Sequence, residues 1–327
     1  MTETMTVWRQ NAYGSADGVH PETVPVPVPS RGQVLLRTDA VSLNSGDIHL
    51  MRGEPRMVRA FVGRRGPRVR GRGMDVAGTV AAVGADVEGW TVGDAAVGAW
   101  RETLADHVLV PAARLIPLSA GVDPVVAATL PVAGNTALDA LRIARVSSGS
   151  RVLVVGAGGG VGTAVVQLAA DRGAEVWATC GARAQPVLER LGASRTFDYR
   201  VTDLAALPPA SFDAIVDIAG EPPLTVLHDL LAPRGTVALV GGDGHEVFGP
   251  FGRMLRSTVT RGRFRPVASV VRSRTTAELV SLAAAGRLTP HIERVFALSD
   301  ARAALAHVES GRTIGKVVVV RDELLPG

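Results

Sequence analysis

With 327 residues, the chain is too long for one ordinary hydrophobic core and has about the length of two domains. Apolar residues make up 46% of it and charged residues 20%, which excludes a disordered chain. The formal net charge of +4 is modest, and no apolar run approaches the roughly 20 residues that a membrane-spanning helix needs.

The cysteine count and the N-terminal residues indicate the cellular compartment of the protein. Cys180 is the only cysteine, so no intramolecular disulfide can form, which is consistent with a reducing cytoplasm. Residues 1–18 lack the basic segment and apolar core of a signal peptide. We therefore expect a cytoplasmic protein without a membrane span. Lys316 is the only lysine, and every other fixed cation is an arginine.

Short valine-rich strands separated by glycine turns dominate residues 1–122. The proline-rich run 24–29 suits an edge strand or a linker. The candidate strands after it lie at 33–43, 74–84, 94–100 and 106–111. This pattern predicts a compact antiparallel or barrel-like domain.

From residue 123 onward, apolar strands alternate with amphipathic helices. Residues 123–144 are predicted to form helical turns interrupted by Pro131 and Gly134. Strands are then predicted at 151–157, 175–180, 212–220 and 235–242, and helices at 161–173, 185–193 and 224–234. This alternation is typical of a doubly wound parallel sheet.

After about Thr275 the pattern returns to two helices and a last strand, 316–320, which we expect to fold back onto the first domain. The predicted organisation is a first domain made from residues 1–122 and 273–327. The second domain is predicted to comprise residues 123–272.

A glycine-rich turn joins the first strand of the alternation to the next helix. Gly156, Gly159 and Gly162 recur at three-residue spacing, although no strict GxGxxG is present. Glycine allows close approach of the backbone to a pyrophosphate, and the helix N-terminus offers unpaired N–H groups. The alternative is that the glycines form an ordinary turn between a strand and a helix and bind no ligand. However, strand, turn, helix and second strand follow in order, so we predict dinucleotide binding. The candidate cofactor-binding residues here are Gly156, Gly159, Gly160, Val161 and Gly162.

The end of the second strand favours NADPH over NADH. An acidic residue there usually binds the ribose 2′-hydroxyl of NAD. Here the strand ends in Thr179, Cys180 and Gly181, and Arg183 follows. An arginine at this place can pair with the 2′-phosphate of NADPH. The alternative is that Arg183 is only a solvated residue of the next helical turn.

Six segments have patterns of a known family: AVSLNSGDIHLMRGEP (40–55), GMDVAGTVAAVGADVEGWTVGDAAVG (73–98), LPVAGNTALDAL (130–141), the glycine turn, LGASRTFDYR (191–200) and GRTIGKVVVV (311–320). Together they resemble the medium-chain dehydrogenase/reductase superfamily, specifically its zinc-free quinone oxidoreductase (zeta-crystallin-like) branch. The resemblance covers nearly the whole chain. It implies an α/β fold with a split, barrel-like (GroES-like) substrate domain and a doubly wound Rossmann domain, with cofactor and substrate meeting in the cleft. Similar enzymes commonly dimerise through Rossmann edge strands, so we expect a homodimer joined at residues 266–271.

The resemblance also assigns expected positions to individual residues. It places Thr136 near the nicotinamide and Tyr199 beside Arg183 on the 2′-phosphate side. Further cofactor contacts are implied for Gly241 and Gly242. Asn44 and Asp47 match an Asn-x-x-Asp pattern at the floor of the cleft.

Two differences from the sequences of related families limit the metal ion and the substrate that we expect. Zinc-dependent alcohol dehydrogenases of the superfamily need cysteine and histidine ligands, and where they carry Gly-His-Glu this chain has Gly73-Met74-Asp75. We therefore expect no metal. Enoyl-thioester reductases carry a tyrosine shortly after the Asn-x-x-Asp segment, and residues 52–55 contain none, which argues against a thioester substrate.

Hydride from NADPH can reduce a quinone directly or add to an enone, provided that donors stabilise the developing oxyanion and a proton arrives. We expect Asn44 to donate to that oxyanion, and His49 or water held by Asp47 to supply the proton. The alternative for His49 is a structural hydrogen bond. Ser42, Ser45 and Asp75 show no partner pattern for nucleophilic catalysis.

An unusual run of arginines lies between Arg52 and Arg72, with Glu54 as its only acid. It is either a solvated loop, an electropositive rim for an anionic ligand, or a lid over the substrate. Aromatic residues total only 4%, so a nucleic-acid partner is not favoured. The predicted function is an NADPH-dependent reductase of a small quinone or enone. The alternatives are a biosynthetic tailoring reductase for one metabolite and a non-catalytic NADPH-binding protein that acts through its arginine-rich surface.

Overall fold

The computed structural model describes residues 3–119, 121–241 and 262–325, apart from the Val58 side chain. These residues form two compact units. The first unit draws on the ranges Met1–Val132, Val271–Gly286 and Ile292–Gly327, and the second on Ala133–Val270 and Arg287–His291. The first unit therefore extends beyond the boundary expected at residue 122.

The valine- and alanine-rich runs form strands in both units. In chain order the described strands are β1 (Thr4–Gln10), β2 (Val19–Pro25), β3 (Gln33–Leu43), β4 (Asp75–Val83), β5 (Ala95–Ala99), β6 (His107–Pro111), β7 (Leu115–Pro117), β8 (Arg151–Val155), β9 (Glu175–Cys180), β10 (Arg195–Asp198), β11 (Phe212–Asp217), β12 (Leu231–Leu239), β13 (Phe264–Pro266), β14 (Ile292–Ala297) and β15 (Lys316–Val320).

The amphipathic runs form short and medium-length helices. In chain order the described α-helices are α1 (Ser45–Arg52), α2 (Arg59–Val62), α3 (Pro124–Ala127), α4 (Asn135–Ile143), α5 (Gly160–Asp171), α6 (Gln185–Arg190), α7 (Leu224–Leu230), α8 (Ser273–Ala284) and α9 (Ala301–Glu309). A π-helical turn, Leu130–Gly134, precedes α4. In the described ranges, none of these helices has the length and apolar character needed to cross a bilayer.

The second unit is built on a six-stranded parallel sheet with the order β10-β9-β8-β11-β12-β13. Counted from β8, this is the 3-2-1-4-5-6 order of a dinucleotide-binding sheet. The central strand β8 is buried along nearly its whole length, as expected for an apolar run covered on both faces. The predicted doubly wound parallel sheet is confirmed.

Three local predictions in this unit are wrong or incomplete. The helix expected to continue to residue 234 ends at Leu230, because Pro233 cannot continue a helix and favours extended backbone before it. Strand β10 is absent from the sequence prediction, since it is short and only half-buried. The edge strand β13 ends at Pro266, so residues 267–271 do not form the edge strand expected for a dimer.

The first unit contains a mixed sheet with the order β14-β15-β3-β4-β5-β7, and β6 also pairs with β3. Strand β15 pairs antiparallel with β3, with Val317 opposite Leu43, which confirms that the last strand folds back onto the first part of the chain. The core of this unit includes Leu36, Met51 and Leu305.

The turn between β8 and α5 provides a test of packing. A Cβ on Gly162 would lie 2.5 Å from both the Cα and the carbonyl oxygen of Ala157, which are backbone atoms that cannot easily move. A Cβ on Gly159 would meet nothing within 4 Å. We expect Gly162→Ala to lower the free energy of unfolding by about 1–3 kcal/mol in urea titrations. The control Gly159→Ala changes the N-cap of α5 without a steric clash, so it should lower the free energy of unfolding by at most about 1 kcal/mol and by less than Gly162→Ala. Equal stability of the two variants would contradict this close helix–strand approach.

Candidate active site and cofactor site

The glycine turn has the backbone geometry that a dinucleotide site needs. Gly156 follows β8 with a φ of 80°, and a Cβ there would lie 2.9 Å from the Ala219 nitrogen, so only glycine fits without strain. Gly159 is the N-cap of α5, which begins at Gly160. The unpaired N–H groups of this helix end, and the open space beside Gly159, fit a pyrophosphate.

The turn is tied to the end of β9, the strand whose end favours NADPH. The Gly156 N–H donates to Thr179 Oγ1 at 3.1 Å, and the Ala157 N–H donates to the Thr179 carbonyl at 2.8 Å. Burial raises the pKa of the Cys180 thiol to about 11, so this thiol is neutral at pH 7. Strand β9 itself therefore ends without a charged acid. The nearby Asp198 carboxylate, opposite Cys180 on β10, pairs with Arg200 at 3.8 Å.

Cationic and aromatic groups lie next to this strand end. Arg183 is exposed in the turn after β9, and Tyr199 is 54% exposed directly after β10. The Arg200 guanidinium lies 4.9 Å from the centre of the Tyr199 ring, and its Nη1 is 3.2 Å from the position of a Cβ on Gly181. Sequence reasoning missed Arg200, although it directly follows Tyr199 in the segment that carries the family resemblance.

The remaining cofactor candidates belong to other elements of the second unit. Thr136 is 3% exposed in the first turn of α4, which packs against α5 and β12. Gly241 follows β12 after Val240. Gly242 lies outside the described residues. Nicotinamide contacts for Thr136 and Gly241 stay predictions.

In the first unit, Asn44 and Asp47 form the start of α1. Asn44 follows β3 directly and is the N-cap of the helix. The Asp47 carboxylate accepts the Asn44 backbone N–H at 2.9 Å. This is one half of a capping box, which explains why Asn-x-x-Asp begins a helix here.

The Asn44 side chain is held by three protein groups. Its Nδ2 donates to Asp75 Oδ2 at 2.9 Å and to the Ser42 carbonyl at 3.3 Å. Its Oδ1 accepts from Lys316 Nζ at 2.6 Å. Because both amide protons already have acceptors, Asn44 can donate to a substrate oxygen only by giving up one of them. The longer bond, to Ser42, is the weaker of the two.

Asp75 and Lys316 complete this cluster, and sequence reasoning assigned a role to neither. Asp75 is the first residue of β4, is 0% exposed, and accepts the Val132 backbone N–H at 3.1 Å. Lys316 is the first residue of β15, and its Nζ lies 3.9 Å from Asp75 Oδ2. Asp75 thus has partners in the structure, but they do not form the pattern of a nucleophilic site, which was not expected here. The available signals were an acid opening an apolar strand and the single lysine of the chain.

Burial shifts the titration of all three charged groups in this buried cluster, Asp47, Asp75 and Lys316. It raises the pKa of Asp75 to about 7 and that of Asp47 to about 6, although the Lys316 charge opposes both shifts. Burial lowers the pKa of Lys316, against the attraction of the two carboxylates. The cluster therefore gains and loses protons close to neutral pH, which is a property of acid–base sites.

His49 lies on the same helix but does not face Asp47. It is half-buried, and residues two apart on a helix lie on different faces. The structure thus brings Asn44 and Asp47 together with Asp75 and Lys316. Proton donation by His49 stays a prediction.

The arginine run between Arg52 and Arg72 is largely tied to the first unit. Arg52 pairs with Glu309 at 2.8 Å, and Arg70 pairs with Glu22 at 3.0 Å. Arg72 is 5% exposed and donates to main-chain carbonyls just before it. The exposed members are Arg52, Arg56, Arg64, Arg65 and Arg68. The segment is therefore anchored by several of its own arginines and is not wholly a solvated loop.

Metal-ligand chemistry has little support among the described residues. Within these ranges, no group of three or more histidine, cysteine, aspartate or glutamate side chains could hold a metal ion. Asp75 stands where zinc-dependent relatives carry the Gly-His-Glu motif. Its carboxylate accepts hydrogen bonds from Asn44 and Val132 and forms an ion pair with Lys316. Among the described residues, this cluster contains no histidine or cysteine and does not fit a catalytic zinc.

Comparison with known proteins establishes the class. Residues 30–120 match the alcohol dehydrogenase GroES-like domain, and residues 191–319 match the zinc-binding dehydrogenase family. The chain is 31% identical to the chloroplast envelope quinone oxidoreductase homolog of Arabidopsis thaliana, over 96% of this chain and 98% of that protein. It is 29% identical to the 2-methylene-furan-3-one reductase of Solanum lycopersicum, over 96% of this chain and 79% of that protein.

The fold matches as well. The solved structure of the quinone oxidoreductase from Coxiella burnetii superposes with a TM-score of 0.85 at 27% identity, covering 97% of this chain and 99% of that one. The chain belongs to the medium-chain dehydrogenase/reductase superfamily, in its quinone oxidoreductase branch. It is an oxidoreductase that uses a nicotinamide cofactor, and the predicted fold class, a GroES-like domain with a Rossmann domain, is confirmed.

The buried cluster predicts a pH-dependent cost of removing its cation. Lys316→Met leaves the carboxyl groups of Asp47 and Asp75 buried with less compensation, which at pH 8 should lower the free energy of unfolding by roughly 3–5 kcal/mol. Both carboxyls have folded-state pKa values raised above the unfolded value of 3.8, so the folded state binds more protons between these values. Their contribution to stability therefore falls as pH rises through about 4 to 7. At pH 5 the loss caused by Lys316→Met should be smaller, as measured by urea unfolding at both pH values; an equal loss would contradict the charged cluster.

Proposed function

We propose that the chain transfers hydride from NADPH to a quinone or an α,β-unsaturated carbonyl without a zinc ion. The observation that carries the proposal is the buried cluster of Asn44, Asp75 and Lys316, which stands where zinc-dependent relatives carry a metal ligand. Without a Lewis acid, the favoured acceptors are those that delocalise the developing negative charge themselves. Quinones and enones have this property, and the names of both relatives point to the same two acceptor classes.

The preference for NADPH is supported by the charges around the end of β9. In the proposed arrangement the glycine turn, including Val161, holds the pyrophosphate, and Arg183, Tyr199 and Arg200 hold the 2′-phosphate. Thr136, Gly241 and Gly242 contact the remainder of the cofactor. The cofactor supplies the hydride when it is bound.

The first unit would supply the proton that the reaction also requires. Hydride transfer to a quinone leaves an anion, which becomes a hydroquinone only after proton uptake. Asp47 would hold the water that donates this proton, or His49 would donate it directly. Asn44 would contact the developing oxyanion with the amide proton that otherwise bonds to the Ser42 carbonyl at 3.3 Å.

We further propose that the protein acts as a cytoplasmic homodimer. Size-exclusion chromatography with light scattering tests the dimer: a mass near 68 kDa, twice the 34.0 kDa chain, is expected, and a mass near 34.0 kDa would overturn it. Because residues 267–271 form no strand, the contact is not assigned to them.

The reaction is tested by anaerobic oxidation of NADPH, with NADH as the paired control, across ortho-quinones, para-quinones and enones. We expect rapid oxidation of NADPH by one of these acceptor classes and at least tenfold slower oxidation of NADH. Tight NADPH binding without reduction of any acceptor would rule out generic quinone and enone reduction. A dedicated metabolite or a non-catalytic role would then replace it.

The cofactor preference is tested at Arg200. Arg200→Ala should raise KM for NADPH by about 10- to 100-fold, because a charge-assisted bond to the 2′-phosphate is lost, and should leave KM for NADH unchanged. Arg195→Ala is the matched control, since Arg195 lies at the other end of β10, over Trp177 at 4.5 Å. An equal effect of both substitutions on NADPH and NADH would show that Arg200 does not select the phosphate.

A further inference from the structure

Lys316 is an exception to the composition of the whole chain. It is the only lysine among 35 basic residues. Its side chain is 4% exposed, and every residue of its strand, β15, is buried. The four residues that follow it in the strand are valines, so an apolar residue at this position would continue the same core.

Burying such a charge needs a reason beyond stability. A buried ion pair is often no more stable than the apolar residues that could replace it, because desolvation offsets the Coulombic attraction. The Lys316 ammonium is surrounded by Asn44 Oδ1 at 2.6 Å and Asp75 Oδ2 at 3.9 Å. A guanidinium would bring five N–H donors into this space, whereas an ammonium brings three.

Asn44 connects this cation to both carboxylates. Its backbone N–H bonds to Asp47, its amide N–H bonds to Asp75, and its amide oxygen bonds to Lys316. The Asn44 amide is therefore oriented by Lys316 together with two acceptors: its oxygen bonds to the cation of β15, and its amide protons bond to Asp75 and Ser42. Removing the cation removes the only donor to the amide oxygen that these bonds include, so the amide is held from its NH2 end alone.

We propose that Lys316 is a positioning residue for the reaction: it helps to orient the Asn44 amide and favours the charged form of the Asp47 and Asp75 carboxyls. This inference rests on the proposed function, because Asn44 and Asp47 are the groups through which Lys316 acts. It assigns the single lysine to the catalytic cycle without contact to the substrate.

The charged groups around Lys316 come from several elements. Asp75 lies on β4 and Asp47 on α1, and Arg72, just before β4, also acts on the charge of Asp47. Strand β14 and helix α9 pack against β15, and there Glu293 of β14 bonds to His307 of α9 at 2.9 Å. The other charged residues of these two elements are Arg294, Arg302 and Glu309.

The test compares pH profiles of kcat/KM, from pH 5 to 9, for Lys316→Met, Lys316→Arg and Arg321→Met. Arg321→Met is the matched control, because it breaks the pair with Asp39 (3.1 Å) just after the other end of β15. The acceptor is the best quinone or enone from the panel, and NADPH binding and thermal unfolding are measured alongside.

Loss of the Lys316 charge raises the pKa of the carboxyls it stabilises, so the acidic limb of the Lys316→Met profile should move up by about 1–3 pH units. At pH 7, kcat should fall at least tenfold, while NADPH binding stays within about twofold. Lys316→Arg keeps the charge, so its limb should lie closer to the wild-type position than that of Lys316→Met, and Arg321→Met should leave the limb unmoved. A folded Lys316→Met enzyme with the wild-type limb and kcat would overturn the proposal.

A second measurement uses the wild-type protein and does not depend on any variant folding. Because Lys316 is the only lysine, protein grown with lysine labelled at Cε gives a single methylene signal in NMR spectra. This signal should move with pH at the midpoint of the acidic limb of kcat/KM, since the neighbouring carboxyls titrate there. A signal without a step at that pH would overturn the inference. If no acceptor is reduced at all, the proposed function fails first, and this role of Lys316 fails with it while the NMR titration stays measurable.

Discussion

Two carboxylates and an ammonium are buried together in the first unit, and their mutual compensation constrains the surrounding structure. Asp75 and Lys316 are both almost completely buried, so each needs the other and the Asn44 amide to offset the loss of water. They come from the first residues of β4 and β15, and Asn44 comes directly after β3. Because β3 pairs with both other strands, the cluster forms only when this register is kept.

The register has consequences for the helix and turn next to the sheet. A slip of one residue would exchange the two faces of a strand and would expose or isolate the buried charges. With the register kept, Asn44 caps α1, and Asp75 reaches the backbone of the π-helical turn at Val132. The groups proposed to act on the substrate therefore depend on the pairing of three strands that are far apart in sequence.

The parallel sheet of the second unit depends more on local sequence. Gly156 adopts a left-handed conformation beside Ala219, and Gly162 brings α5 close to Ala157. Strand, turn, helix and second strand are consecutive, so their order was visible in the apolar pattern. The apolar pattern was less informative in two places. Helix α7 ends earlier than predicted because of Pro233, and β10 was missed because it is a short edge strand. The stretch 267–271 is apolar enough for a strand but lacks the pairing that makes one.

The sequence by itself determined the fold class, the glycine turn, the absence of an acid at the end of β9 and the helix start at Asn44, because each depends on residues close together in the chain. It also showed that Lys316 is the only lysine, without indicating its partners. Only the tertiary structure decided that Lys316 meets Asn44 across 272 positions, and that Arg200 lies beside Gly181. The physical reason is that burial and charge compensation arise from strand pairing, which brings together side chains that no local pattern connects.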